Sequence, residues 1–135
     1  MTFAKKIVAS LVVVFALAAA PLQAHESAKR AECQPVRTLA HKAHASWYGP
    51  GFHGRTTANG ETFNMNAMTA AHKTLKLGTR LLVENIDNGT SAVLRVNDRG
   101  PYIAGRALDV SKKAADVLGF RDEGIARVKM SVCAG

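Results

Sequence analysis

Apolar and polar residues change rhythm several times along this chain, and the changes divide it into elements. The clearest alternation is GIARVKMSV (124–132). Ala126, Val128, Met130 and Val132 fall on one side, and Arg127, Lys129 and Ser131 on the other. Period-two spacing marks a strand with one face on a core. LLVEN (81–85) and SAVLRVN (91–97) are two further apolar runs, and the Asn88-Gly89 between them predicts a hairpin. RALDV (106–110) reads as a short strand. HASWY (44–48) begins the first strand, which Gly49-Pro50-Gly51 breaks. AMTAAHKTL (67–75) sets helix-favouring alanines against brevity and two threonines, and a strand is expected. The period lengthens at KKAADVLGF (112–120), where Ser111 can cap a helix and Gly119 can stop it.

Between these elements the chain is polar and aperiodic. HGRTTANGETFN (53–64) is a long loop rich in Gly, Thr and Asn. HESAKRAECQPVRTLAHKA (25–43) has no clear period and is expected to be an extended lead-in, flexible until Cys33 is tied down. Six or seven short strands with one short helix point to a mainly β fold. Closing the sheet into a small barrel would remove its exposed edges.

The N-terminus has a different character. Lys5 and Lys6 precede a nearly continuous apolar run from Ile7 to Ala20. That run falls short of the roughly 20 residues a membrane-spanning helix needs. With Pro21 and the small residues up to Ala24 it reads as a secretory signal peptide over 1–24. A cut after Ala24 makes His25 the new N-terminus, while a cut after Ala20 would leave Pro21 first. The competing reading is an uncleaved membrane anchor. The expected division is a signal peptide (1–24), a lead-in (25–43) and one barrel domain (44–133). The 111 residues left after cleavage suit a single small domain.

Export changes how charge and cysteine are read. Eighteen Lys and Arg against ten acids give a net charge of +8, and loss of Lys5 and Lys6 leaves +6. In a cytosolic protein that balance would suggest nucleic acid. In an exported one no nucleic-acid partner is expected. The charge either draws the protein to the anionic bacterial envelope or only keeps it soluble. Cys33 and Cys133 lie near the two ends of the mature chain. An oxidising compartment favours a disulfide between them over two free thiols.

Four ionisable residues sit in Gly- or Ala-rich surroundings: Glu61, His72, Asp98 and Asp109. Asp98 is either a turn residue satisfying backbone N–H groups or a carboxylate at a barrel mouth. Glu61 follows Asn59-Gly60 and alone reads as a solvated acid. His72 alone reads as a packed histidine. Asp109 alternates with Leu108 and Val110 and is expected to be a structural acid bonding backbone inside the barrel. The five histidines show no ligand spacing and no Cys-x-x-Cys accompanies them, so neither a metal nor a cofactor is expected. Ser46, Ser91 and Ser111 lack the Gly-x-Ser-x-Gly turn of a serine hydrolase.

Three segments change the weight of these readings. ASWYGPGFHGRTTANGETFN, AMTAAHKTLKLGTRLLVEN and VNDRGPYIAGRALDVSKKAADVLG together resemble the rare lipoprotein A (RlpA-like) family, from about Ala45 to Met130. The resemblance implies a small closed six-stranded double-psi β-barrel with one or two short helices. It also implies an exported endolytic lytic transglycosylase. Such an enzyme cleaves the MurNAc–GlcNAc bond of peptide-stripped peptidoglycan strands and leaves 1,6-anhydro-MurNAc ends. The family's acidic residues fall on Asp98 and Glu61, and its histidine on His72, which makes these three the expected catalytic set. The lipidation site of many members and their C-terminal wall-binding domain have no counterpart here. A periplasmic or secreted monomer without a membrane anchor after cleavage is therefore expected.

The expected chemistry centres on Asp98. One carboxyl can protonate the leaving oxygen and then take the proton of the attacking C6 hydroxyl, where ordinary glycosidases use two. An unperturbed aspartate titrates at about 3.9, so the barrel must raise it. Glu61 is expected to help as a nearby like charge, and His72 to orient Asp98 or hydrogen-bond the substrate. Trp47 and Tyr48 are expected to stack on a sugar ring, with core packing the alternative for one of them. Arg99 and Arg106 either bind muramic lactyl carboxylates or brace the loop. Two other functions compete: an expansin-like, non-catalytic wall-binding or wall-loosening module, and a hydrolase that uses water with Asp98 and a second acid.

Overall fold

The computed structural model of the chain describes residues 10–13, 24, 27, 28 and 32–135. The expected signal peptide lies outside the described residues except at 10–13 and 24, so its form and cleavage point do too. Among the described residues no helix is long and apolar enough to cross a membrane.

Six strands make up the fold: β1 (Pro35–Trp47), β2 (Thr69–Ala71), β3 (Arg80–Asn85), β4 (Ser91–Asp98), β5 (Leu108–Val110) and β6 (Ile125–Cys133). They close into a barrel in the order β1-β5-β2-β4-β3-β6. The β1–β5 and β2–β4 pairs are parallel, and every other neighbouring pair is antiparallel. An α-helix, α1 (Lys112–Leu118), and a short 3-10 turn at Pro50–Phe52 accompany the strands. This mainly β, closed six-stranded barrel is consistent with the expected double-psi architecture.

Alternation fills the barrel. Leu81 and Val83 of β3, Leu94 and Val96 of β4, and Leu108 and Val110 of β5 are fully buried. Ala126, Val128 and Met130 of β6 join them, as the pattern predicts. Val132 packs only partly against this core, and Ser131 is buried as well, its hydroxyl facing that of Thr38 on β1. The helix closes one end through Ala114, Ala115 and Leu118. Its start follows the expectation: the Ser111 hydroxyl accepts from the Ala114 N–H (3.1 Å) and donates to the Ala67 carbonyl (2.5 Å). Its end needs glycine. Gly119 has φ +74°, and a Cβ there would stand 2.7 Å from Nδ2 of Asn88, which donates to the Leu118 carbonyl.

The first strand departs from the sequence reading. It starts at Pro35 and pairs with β6 almost throughout, so much of the expected lead-in belongs to the barrel wall. Register shifts interrupt that pairing between Pro35 and Arg37, Thr38 and Ala40, and Ala40 and Ala43. Each shift resets the inward face, which is why the stretch shows no period.

Cys33 and Cys133 form a disulfide across 100 residues, with Cα atoms 5.0 Å apart. It fastens the outer ends of β1 and β6, where the Ala134 N–H also reaches the Gln34 carbonyl (2.8 Å). Closing so long a loop restricts the unfolded chain. Replacing both cysteines by serine should therefore lower unfolding stability by about 2–4 kcal/mol, read from the urea midpoint with the barrel's circular dichroism retained.

Candidate active site

Four consecutive strands of the barrel place one residue each at a common level. Ser46 of β1 pairs with Asp109 of β5, Asp109 with Ala71 of β2, and Ala71 with Asp98 of β4. Residues opposite one another in a sheet share a face, so this row lies together. It lies outside the barrel: Leu108 and Val110 point inward, which turns Asp109 outward. The expectation of an acid bonding backbone inside the barrel is corrected accordingly. Asp109 is half-buried and accepts from the Ser46 hydroxyl at 2.8 Å.

Asp98 reaches this face through a bulge. Thr69 pairs with Arg95 and Ala70 with Val96, but Ala71 pairs with Asp98, skipping Asn97. Strict alternation would send residue 98 inward behind Leu94 and Val96. The skipped residue turns it outward instead.

The groove over the row has an apolar floor. Tyr48, Phe63 and Ala71 are buried together, apart from the barrel core. Tyr48 follows β1, its N–H donating to the Val110 carbonyl (3.0 Å) and its ring meeting Phe63 edge-on at 4.8 Å. Its hydroxyl donates to Oδ2 of Asp98 at 3.3 Å. Burial, then the charges of Asp98 and Asp109, push the Tyr48 phenol well above its ordinary value, so it remains a donor. On Oδ1, Asp98 accepts from the Ala58 N–H (3.0 Å) and its neighbour's Arg99 N–H (2.8 Å). One carboxylate oxygen is thus fastened to backbone. The other takes the Tyr48 hydroxyl, and Asp98 lines a cavity of about 220 Å³ together with Tyr48, Phe52, Arg55, Thr57 and Phe63.

Glu61 holds the donor that fastens Asp98. Both of its oxygens meet the Arg95 guanidinium, at 2.5 and 2.8 Å, and Nδ2 of Asn59 donates to Oε1 at 2.6 Å. Thr57 bonds both Asn59 and the Glu61 carbonyl, and the Asn59 N–H reaches the Asn97 carbonyl. The 57–61 turn is thereby tied to β4, and Ala58 stands in its middle. Arg95 holds the Glu61 carboxyl down at about 2, with help from Asn59. Its charge is matched, so Glu61 does not act on Asp98 as the unpaired like charge expected of it. In this geometry it positions the turn.

His72 comes close to Asp98 only through backbone, its N–H donating to the Asp98 carbonyl (3.1 Å). Its Nδ1 accepts from the N–H groups of Thr74 and Leu75, both at 3.1 Å, which puts the ring proton on Nε2. Burial, then Arg99 and Lys73, lower its proton affinity. For Asp109 burial acts the other way and raises it, against the Ser46 hydroxyl and Arg106. Arg99 donates from Nη1 to the carbonyls of Leu75 (2.5 Å) and His72 (3.3 Å), so it braces the 72–75 loop. Arg106 lines a second cavity together with His72. Trp47 falls on the Ala45 face, packs against the main core and donates from Nε1 to the Arg121 carbonyl (3.1 Å). Core packing accounts for it. Phe52, 46 % exposed, is the ring that the groove offers instead.

Several contributors escaped the sequence reading: Ser46, Ala58, Asn59, Arg95 and Phe52. Arg95 carried a signal, since it alternates with the inward Leu94 and Val96 and so had to face out. Ala58 carried none, because only its backbone is used.

The profile of the lytic transglycolase family matches residues 40–130, which contain the whole row and both cavities. The chain belongs to that family. Curated relatives agree. A probable endolytic peptidoglycan transglycosylase RlpA of Synechocystis sp. is 57% identical over 88 residues, 65% of this chain and 27% of that protein. The RlpA of Pseudomonas aeruginosa PAO1 is 56% identical over 86 residues, 64% of this chain and 25% of its own length. That of Neisseria meningitidis MC58 is 52% identical over 95 residues, covering 70% and 40%. The chain thus spans less than half the length of these relatives. Among solved structures, the apo expansin of Clavibacter michiganensis has a TM-score of 0.55 at 22% identity, over 69% of this chain and 50% of that one. The Streptomyces papain inhibitor has a TM-score of 0.58 at 16% identity, over 76% and 99%. Both show a shared fold.

The Glu61–Arg95 pair sets a pH dependence. The folded carboxyl titrates at about 2 and the ordinary one at 4.5. The stability it contributes is full above 4.5 and is lost as the pH falls towards 2. The melting-temperature gap between wild type and Glu61→Gln should be widest near neutrality and close over that window.

Proposed function

We propose that this barrel is an exported endolytic transglycosylase that cuts peptidoglycan between MurNAc and GlcNAc. The observation that carries the reading is the placement of Asp98: Oδ1 fixed by two backbone N–H groups, Oδ2 on the Tyr48 hydroxyl, and the residue in the lining of a groove. Identity of more than half to curated peptidoglycan transglycosylases across the matched segment supports the substrate. The leader pattern of residues 1–24 supports export to the periplasm or beyond.

In this reading a sugar lies over Phe52, whose exposed ring suits stacking. The Asp98 carboxyl gives its proton to the glycosidic oxygen as the bond from MurNAc C1 breaks. Positive charge developing at C1 faces the remaining carboxylate. The C6 hydroxyl of the same MurNAc attacks C1, and its proton returns to Asp98. The ring closes as the 1,6-anhydro sugar, the GlcNAc side leaves with a free hydroxyl, and the enzyme is regenerated without water. Tyr48 keeps the carboxylate in place, and Glu61 holds the turn that brings Ala58. His72 fixes its loop and presents Nε2–H for a substrate oxygen.

A second reading rests on Asp109. It lies two strands from Asp98, about 10 Å between Cα atoms at ordinary strand spacing, and burial favours its protonated form. Two such carboxyls could activate water and make the enzyme a hydrolase. Products decide between them. Peptide-stripped sacculi digested with the mature chain should yield anhydro ends by mass spectrometry, whereas reducing ends would support hydrolysis. Glycan binding without any product would leave an expansin-like module. Asp98→Asn keeps an acceptor for both backbone donors, so it should stay folded while losing about 10²–10⁴-fold in rate.

A further inference from the structure

The loop from β4 to β5, residues 99–107, carries the most exposed aromatic ring among the described residues. Tyr102 is 78 % exposed, and its neighbour Ile103 56 %. Among the described residues the Tyr102 side chain makes no hydrogen bond and no ring contact. A single exposed ring is ordinary on a protein surface. What sets this one apart is where and how firmly it is held. Arg99 ties the start of the loop to the carbonyls of His72 and Leu75. The Arg106 N–H donates to the Ile103 carbonyl (3.2 Å), and the Ala107 N–H to the His44 carbonyl (2.9 Å). The ring itself lies against Gly100, where an added Cβ would stand 3.7 Å from its Cδ2 and Cε2. A fastened backbone thus holds an apolar ring in solvent, beside a residue two positions beyond Asp98.

Strand directions put this ring across the row from Phe52. β2 and β4 run parallel and reach the row at their last residues, Ala71 and Asp98. β5 runs against β2 and meets the row at Asp109, just after its first residue, Leu108. The 99–107 loop therefore lies beyond one edge of the row. β1 runs with β5, crosses the row at Ser46 and passes the other edge before it reaches Tyr48 and Phe52. The cavity at Asp98 agrees, since Phe52 lines it and no residue of the 99–107 loop does. Gly100 is at most about 7 Å from Asp98 between Cα atoms, so the ring beside it can meet the sugar next to the one at Asp98. We propose that Tyr102 is a second stacking platform, so that a glycan strand is gripped on both sides of Asp98, by Phe52 on one and Tyr102 on the other. A hexosamine ring offers an aromatic side chain a flat apolar face with polar groups at its edge. GlcNAc units lack the lactyl ether of MurNAc and present the less hindered face. The proposal rests on the transglycosylase reading for the identity of the strand. What Tyr102 reads is strand length, separately from the chemistry at Asp98.

Binding of length-defined strands tests it apart from turnover. Peptide-free glycan fragments from disaccharide to octasaccharide are titrated by calorimetry into the mature Asp98→Asn protein, so that none is cut. Affinity should rise with length until a strand reaches both rings. Adding Tyr102→Leu should weaken octasaccharide binding about tenfold. The disaccharide, which can occupy only one platform, should lose much less. Tyr102→Phe keeps the ring and should bind as the parent does. The loss should persist in high salt, because stacking does not depend on charge. Circular dichroism checks that each variant is folded. Equal affinity of the parent and Tyr102→Leu for the octasaccharide would overturn the platform and point to a protein partner for the ring. An equal loss at every length would also overturn it, as would a loss in Tyr102→Phe as large as in Tyr102→Leu. A length-dependent grip that Tyr102→Leu abolishes, with no anhydro products from the wild-type enzyme on the same fragments, would instead sink the transglycosylase reading and leave the platform standing.

Discussion

One skipped residue in β4 sets the rest of the site. With Asn97 passed over in the pairing to β2, Asp98 lands on the outer face beside Ala71 instead of in the hydrophobic interior. The displaced residue is used too. The Asn97 carbonyl takes the Asn59 N–H, and its side-chain amide points to Glu61 at 3.4 Å. The irregularity that aims the carboxylate therefore also anchors the turn that holds it. Bulges near active sites commonly redirect a side chain in this way.

Three carboxyls with similar intrinsic chemistry end in three different states around this bulge. Glu61 is exposed at its edge but clamped by a guanidinium, which keeps it charged. Asp109 is half-buried with only a hydroxyl and a distant arginine to favour its charge, so burial prevails. Asp98 has backbone donors on one oxygen and a phenol on the other. Environment, not residue type, drives the titrations of Glu61 and Asp109 in opposite directions. The division also gives Glu61 a structural duty: it holds the turn from which the Ala58 N–H reaches Asp98.

Much of the fold was legible because the inward faces of β3 and β5, of β4 as far as Val96 and of β6 as far as Met130 keep strict alternation. The Ser111 cap and Gly119 stop each depend on local chemistry that a few residues carry. The early part of β1 was not legible, since three register shifts scramble its period. For the site, motif resemblance brought Glu61, His72 and Asp98 forward, and the structure places all three around β2. It could not show that Glu61 is paired, that Arg99 reaches two carbonyls, or that Trp47 packs against the core. Those facts depend on which face a side chain takes, and at Asp98 that face is decided by a bulge leaving no mark in the order of apolar and polar residues.

The disulfide has a consequence for architecture. It joins the residue two before β1 to the last of β6, while Tyr48 and the groove lie at the opposite end of β1. The two ends of the barrel's chain are therefore side by side and remote from the groove. A barrel wired this way can be inserted into a longer polypeptide, or carried on a tether, with its groove left clear. The much greater length of the matched relatives accords with such modular use.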